Sequence, residues 1–405
     1  MRSATTTAPL WIHDRLLLGM SPREYVRSLL TPGSAMAAAI LAVGLPIIVY
    51  RYVFGLGAVT HLTQTTPWGL WIGLDVLSGV ALAAGGFTLA GAVYIFGLRE
   101  YHPVVRPALL TAFLGYLFVV IGLLVDLGRP WKLPVPIVYS FGTSSVMFEV
   151  SWCVALYTVV LALEFLPALF EWLDWARARA WAVQLTLPAT VAGIMLSTLH
   201  QSSLGALFLM APTKLHPLWY SPFIPVFFFV SAIIAGLSMV IFESAVSHRA
   251  FRHQIDPQQH VDLDRIQLGL ARAAAVVLFC YFFLRLQGIA EGGHWSLLAT
   301  PYGGWFLLEI VGFVLVPCWL FALGARTANV TLVRWTAAIT VLGVVLNRLN
   351  VSIIAFNWTS AERYVPSWME VWTSLTIITI GVLVFRWIAN RMPILFEHPK
   401  YRESH

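Results

Sequence analysis

Charge is what this sequence has least of. Asp, Glu, Lys and Arg together make up 11% of its 405 residues, against roughly 25% in an ordinary soluble domain, which excludes a water-exposed globular fold. Cysteine is scarcer still. Cys153, Cys280 and Cys318 stand one each in three separate apolar runs with no Cys-x-x-Cys spacing, so neither an iron–sulfur cluster nor structural zinc is supported, and the three read as small packing residues. Histidine is nearly missing from the apolar runs. Of eleven, only His200 falls well within one; His102 and His248 fall in loops assigned to one side, and His61, His216 and His294 in loops on the other. Haem held by paired axial histidines is therefore not expected.

Apolar residues fill the space that charge leaves, at 59% of the chain with a mean hydropathy of +0.78. A helix needs about 20 mostly apolar residues to cross a hydrocarbon core of roughly 30 Å. Ten such stretches can be placed, near 34–55, 70–97, 107–126, 145–170, 183–208, 222–245, 268–288, 303–323, 335–357 and 368–388. The expected fold is all-α and polytopic, with a polar N-terminal segment over 1–33, a ten-helix membrane domain over 34–390 and a tail over 391–405. The two stretches hardest to delimit contain Arg285 and Arg348. The first apolar run is long enough to span, and it reads as an anchor and not as a cleaved signal peptide.

The net charge of +6 matters less than its placement. Every segment on one side carries at least two basic residues, among them Arg2 with Arg15, Arg99 with Arg106, Arg177 with Arg179, Arg252 with Arg265, Arg326 with Arg334, and Lys400 with Arg402. The opposite loops hold only Arg129, Lys132, Lys214 and Arg363. By the positive-inside rule both termini are cytoplasmic, and the expected location is a bacterial inner membrane; nucleic acid is not needed to explain the basic charge.

Ionisable groups inside lipid cost a few kcal/mol each, so their positions map function. Most lie toward the outer side. Asp75 sits little more than a turn into the second helix, on the face of Trp71. Asp126 and Arg129 end the third helix, Glu149 begins the fourth, and His200 with Gln201 falls late in the fifth. Glu309, Glu370, Arg348 and Asn357 repeat that depth in the second half, while Glu164 and Glu243 lie toward the cytoplasm. Bland readings stand beside these. Asp126 and Arg129 suit a capping ion pair, Arg348 a buried partner for a carboxylate, and Trp68, Trp71, Trp131 and Trp219 an aromatic belt. Asp75, Glu149 and His200 are harder to place outside a site. A weak echo relates Pro67–Asp75 (PWGLWIGLD) to Pro301–Glu309 (PYGGWFLLE), although any entry into a membrane favours Pro, Gly and Trp.

The strings PWGLWIGLD (67–75), YHPVVRPALL (101–110), VDLGRPWKLP (125–134), SSVMFEVSW (144–152), LHQSSLGAL (199–207), KLHPLW (214–219) and SIIAFN (352–357) together resemble the NrfD/PsrC family of quinone-interacting membrane subunits. The HQSS and HPLW strings point to its HybB-like branch, the membrane subunit of periplasmic nickel–iron hydrogenase, with the Dsr-type sulfur-complex subunit a close relative. The resemblance implies two four-helix bundles plus additional helices, and a quinone site, for menaquinone or ubiquinone, near the periplasmic face. It further implies no haem or iron–sulfur cluster in this chain, a ferredoxin-like periplasmic partner bearing iron–sulfur clusters, and a catalytic redox subunit or multihaem cytochrome c beyond it.

Quinone chemistry moves two electrons and two protons, so it needs a hydrogen-bonding group at each carbonyl, a proton-exchanging group and apolar walls. On that expectation His200 bonds one carbonyl, Asp75 partners it or supplies the second proton, Glu149 continues the proton path and Trp71 lines the ring. Asp126, Arg129, Gln201 and Arg348 stand near the bound quinone, and no metal is held. The rival from another class is an ion transporter, which the intramembrane charges and the echo would suit; a passive anchor is the third reading.

Overall fold

The computed structural model describes residues 15–251, 257–396 and 401, with the side chains of 257–262 excepted. Arg2, Arg252, Lys400 and Arg402, counted above on the basic side, lie outside the described residues, as does much of the segment over 1–33. Ten helices are long and apolar enough to cross a membrane. They are α1 (Pro32–Phe54), α2 (Trp71–Ile95), α3 (Arg99–Asp126), α4 (Val146–Leu173), α5 (Ala176–Leu209), α6 (Ile224–Ala250), α7 (Leu263–Gly292), α8 (Pro301–Arg326), α9 (Val330–Ile354) and α10 (Trp368–Ala389). No strand is present among the described residues. The chain is an all-α, multi-pass integral membrane protein.

An even number of crossings puts the two chain ends at one face, and contacts there agree. Arg391, just past α10, donates to the Leu16 carbonyl (2.8 Å) and to the Tyr25 hydroxyl (2.6 Å). Tyr25 belongs to a short helix, Pro22–Leu29, opened by a capping box between Ser21 and Glu24. We call this the terminal face. Several helices run further toward it than their apolar stretches, α5 beginning at Ala176 and α9 at Val330, because arginine-bearing turns stay helical after leaving lipid. His102 and His248 correspondingly sit in the end turns of α3 and α6 and not in loops.

Helices α2–α5 form one bundle and α6–α9 a second, with α1 packed on α10 along the flank. The bundles meet at α2 and α6, where backbones touch: a methyl at Gly236 would lie 2.5 Å from the Gly85 nitrogen. One apolar core runs through both bundles, from Val105 and Tyr157 to Phe321 and Val333. Parts of α2, α8 and α9 are wound as π-helix, over Trp71–Ser78, Leu308–Leu315 and Asn350–Ile354. Asp75 and Glu309, the acids of the sequence echo, both lie in such turns, which are a frequent feature of functional helices.

At the opposite face the loop before α6 is pinned to the one after α9. His216 donates its amide to the Ala355 carbonyl (2.9 Å), and Asn357 donates its own to Lys214 (2.7 Å). The His216 ring stacks on Tyr302 at 4.5 Å and meets Trp358 edge-on at 4.8 Å. Burial first, and nearby His294 second, lower its pKa from 6.5 to about 4. The unfolded chain therefore binds this proton more tightly than the folded one. Stability contributed by the neutral ring is complete above pH 6.5 and is lost as pH falls toward 4, by roughly 3 kcal/mol at most. Thermal melting in detergent at pH 7, 5.5 and 4 should show this slope, and His216→Phe should flatten it.

Candidate functional site

Within the α2–α5 bundle lies a cavity of about 340 Å³. Its walls come from Trp68 and the start of α2 that follows it (Ile72, Val76), the end of α3 (Val120, Leu123), the start of α4 (Met147, Val150, Val154) and the end of α5 (Leu204, Leu207, Phe208), with Leu133 and Ile137 of the loop over 127–145 above them. All of these ends are at the face opposite the chain termini. The lining is almost wholly apolar, and the size is that of a small-molecule site. Trp68, on the cavity wall, stacks on Phe356 at 5.7 Å and meets Phe208 edge-on at 5.8 Å. Met147, 52% exposed, borders the lipid side.

His200 is the cavity's one ionisable wall residue. Its side chain is fully buried, and neither ring nitrogen has a hydrogen-bond partner in the protein. The two other polar lining residues are already engaged with their own helix: Ser151 donates to Met147 O (2.9 Å) and Thr158 to Val154 O (2.7 Å). Orphaned atoms cluster around His200. The hydroxyls of Tyr116, Tyr157 and Ser197 and the amide oxygen of Gln201 are buried and near one another, Tyr116 beside Ser197 and Gln201 and Tyr157 beside Ser197 and the Phe87 backbone, yet no well-formed hydrogen bond satisfies them, and the Tyr116 ring lies 5.7 Å from that of His200. Each such group costs about 1–3 kcal/mol if left unpaired, so this polar patch suits partners from outside the chain: water, or a bound molecule with hydrogen-bonding oxygens.

The other residues picked from sequence divide by location. Glu149, at the start of α4, accepts from Ser203 at 2.6 Å; Ser203 is three residues from His200 on α5, so Glu149 stands beside the cavity without lining it. Gln201 donates to the Val80 carbonyl at 3.1 Å and holds α5 against α2. Asp75 and Trp71 share a face as expected, but it is the face turned away from His200. Ser374 donates to Asp75 at 2.7 Å, and Trp71 donates to the Glu370 carbonyl at 3.1 Å, so both lock α2 to α10. The pairing of Asp75 with His200 is thus corrected, and Trp68 replaces Trp71 as the tryptophan on the cavity wall.

Asp126 and Arg129 make no ion pair, because Arg129 is exposed beyond the helix end. Arg51 of α1 takes over the end of α3, donating to the Val125 carbonyl at 2.6 Å and also to that of Leu127. Arg348 lies in the second bundle, where it donates to Asn347 Oδ1 (2.7 Å), Ser231 Oγ (2.9 Å) and the Phe228 carbonyl (3.2 Å). The buried carboxylate nearby, Glu309, accepts from Trp219 (2.8 Å), Asn347 (2.7 Å) and Asn350 (2.5 Å) and sits 4.0 Å from Arg285. Sequence reasoning missed Tyr116, Tyr157, Ser197 and Arg51. The available signal was the spacing of Thr190, Gly193, Ser197 and His200, which puts small and polar residues on one face of α5.

The fold and site are those of an integral membrane protein whose first bundle encloses an apolar cavity with one histidine, His200, on its wall. The model of the polysulphide reductase NrfD family matches residues 58–358, and the chain belongs to that family. A protein of Nitratidesulfovibrio vulgaris is 50% identical over 381 residues, 94% of this chain and 98% of that protein. The "Probable Ni/Fe-hydrogenase 2 b-type cytochrome subunit" of Escherichia coli is 34% identical over 353 residues, 86% of this chain and 88% of the relative. A "Menaquinone reductase, integral membrane subunit", also from N. vulgaris, is 26% identical over 371 residues, 84% and 86% of the two chains. The resemblance to the HybB-like branch is borne out by the hydrogenase relative.

The b-type cytochrome in that relative's name raises haem. The outer cavity does not fit one held by two histidines: His200 is the only histidine on its wall, and its ring neighbour across the bundle is Tyr116. No group of three or more His, Cys, Asp or Glu side chains placed to hold a metal ion occurs among the described residues.

Proposed function

We propose that the chain is the quinone-binding membrane subunit of a respiratory oxidoreductase complex, exchanging electrons between the quinone pool and an iron–sulfur partner of the hydrogenase or sulfur-metabolism type. The observation that carries this is the cavity itself, apolar on every side and offering one free hydrogen-bonding side chain, His200, to a carbonyl oxygen. Relatives named as a hydrogenase subunit and a menaquinone reductase subunit support it. The ring would lie between Trp68, Val154 and Phe208, with the isoprenoid tail leaving past Met147 into lipid. His200 would bond one quinone oxygen and exchange its proton; Glu149, beside the cavity and bonded to Ser203, would serve the second. Electrons would enter from a partner at the face opposite the chain ends, which would be periplasmic in a bacterial inner-membrane protein with cytoplasmic termini, an orientation the basic asymmetry supports.

Calorimetric titration of the purified complex with menadione, a tail-less naphthoquinone, tests the reading. Ala155→Trp puts an indole into the cavity and should weaken binding at least about tenfold, since overfilling a packed site costs roughly 1–3 kcal/mol. Equal affinity in both proteins would remove the cavity from the proposal.

A further inference from the structure

The second bundle buries more positive charge than negative. Arg285 near the end of α7, Glu309 near the start of α8 and Arg348 near the end of α9 are 3%, 2% and 1% exposed, about two turns inside the face opposite the chain termini. The other acids of α6–α9 are committed elsewhere. Glu243 accepts from Thr111 of α3 at 2.6 Å toward the terminal face, Asp264 pairs with Arg334 at 2.7 Å at that face, and Glu291 is exposed at the end of α7. One carboxylate therefore faces two guanidinium groups, and an uncompensated charge held within a lipid-embedded bundle is strongly unfavourable.

Hydrogen bonding shows the same shortfall. Both Glu309 oxygens are taken by uncharged donors, Oε1 by Asn347 and Oε2 by Trp219 and Asn350, and Arg285 stands 4.0 Å away, beyond hydrogen-bond reach. Arg285 Nε and Nη2 and Arg348 Nε are buried without a hydrogen-bond partner in the protein. The Phe227 and Phe306 rings, 5.2 and 5.1 Å from the Arg285 guanidinium, ease its charge but have no lone pair to receive its N–H groups. A cavity of about 20 Å³ lies beside these groups. Its walls include Ser231 and Asn347, the two side chains bonded to Arg348, together with Glu309 and Tyr281. Tyr281 is within electrostatic reach of Arg285, Glu309 and Arg348 alike. Such a volume takes about one or two water-sized bodies and is too small for sulfate or phosphate.

From this we infer that Arg285 and Arg348 hold one monovalent, monatomic anion of chloride size in the second bundle. Water alone would satisfy the free N–H groups and leave the excess charge in place; a halide does both. A halide also asks only for donors, and donors are what the two guanidinium groups have left over. Glu309 borders the cavity, but three N–H groups cover its oxygens and its charge offsets one arginine, so the cluster with its ion is neutral. The ion would tie α7 to α9, and without it the two arginines repel. This site is separate from the cavity of the first bundle and does not depend on the quinone reading.

The test uses the full chain purified in detergent in sodium gluconate, with chloride then replacing gluconate stepwise at constant ionic strength so that screening is unchanged. The melting temperature should rise and saturate, by at least about 3 °C in all. Bromide should act as chloride does, and sulfate at equal ionic strength should not. Arg285→Met should remove the dependence, because it leaves Arg348 and Glu309 balanced. A wild-type melting temperature that ignores chloride, or one that responds equally in Arg285→Met, would overturn the inference. Should the variant fail to fold, crystals of the wild-type chain grown in bromide decide the matter: an anomalous peak among Arg285, Ser231 and Arg348 supports the site, and its absence there removes it.

Discussion

Replacing His200 by leucine is expected to lower quinone turnover by about 100-fold or more, the usual worth of a positioned proton-transfer group, while leaving the protein as stable as before or more so. The two halves of that result belong together. His200 is fully buried and has no hydrogen bond to lose, and replacing an unpaired buried polar group by an apolar one of similar size relieves its desolvation cost. A histidine kept only for packing would give the reverse pattern, a less stable protein with normal turnover. Turnover and melting temperature measured on one preparation separate the two. Asp75→Asn is the control: it keeps an acceptor for Ser374 on the far side of α2, and its effect on turnover should be much smaller than that of His200→Leu.

Lipid makes some features easy to read and hides others. The ten spans were legible because each must satisfy the same length and polarity requirement independently of its neighbours. That His200 lay within the helix bundle was legible for a similar reason, since depth in the membrane follows from position along a helix. Rotation about the helix axis does not. Asp75 and His200 share a depth, yet α2 presents Ile72 and Val76 to the cavity, below Trp68 of the preceding loop, and Trp71 with Asp75 to α10. Nothing local in the sequence says which stripe faces which neighbour, and the π-helical winding over Trp71–Ser78 breaks the usual 3.6-residue count. Long-range partners were hidden likewise. Asp126 has Arg129 three residues away, but the end of α3 is capped by Arg51, more than seventy residues earlier. Tyr116 and Tyr157 looked like ordinary aromatic residues of apolar helices, and only their unsatisfied hydroxyls mark them.

Glu309→Leu should be the most damaging single change to stability, by about 3–5 kcal/mol, the cost of stripping one member from a buried ion pair. Arg285, Glu309 and Arg348 are each no more than 3% exposed, so the second bundle buries two guanidinium groups against one carboxylate. The two arginines differ in their dependence on it. Arg348 is held by Asn347, Ser231 and a backbone carbonyl and lies over the Phe228 ring at 4.0 Å, polar contacts that remain after the acid is gone. Arg285 has only aromatic faces, Phe227 at 5.2 Å and Phe306 at 5.1 Å, beside Glu309 at 4.0 Å, and its Nε has no partner. Removing the acid would strand Arg285 and also orphan the donors of Trp219, Asn347 and Asn350. Adding Arg285→Met to Glu309→Leu should therefore recover part of the loss, whereas adding Arg348→Met should recover less, because it opens a second hydrogen-bond set. Size-exclusion profiles after graded heating in detergent would rank the four proteins, and a Glu309→Leu variant melting with wild type would show that the carboxylate is not what holds the buried arginines.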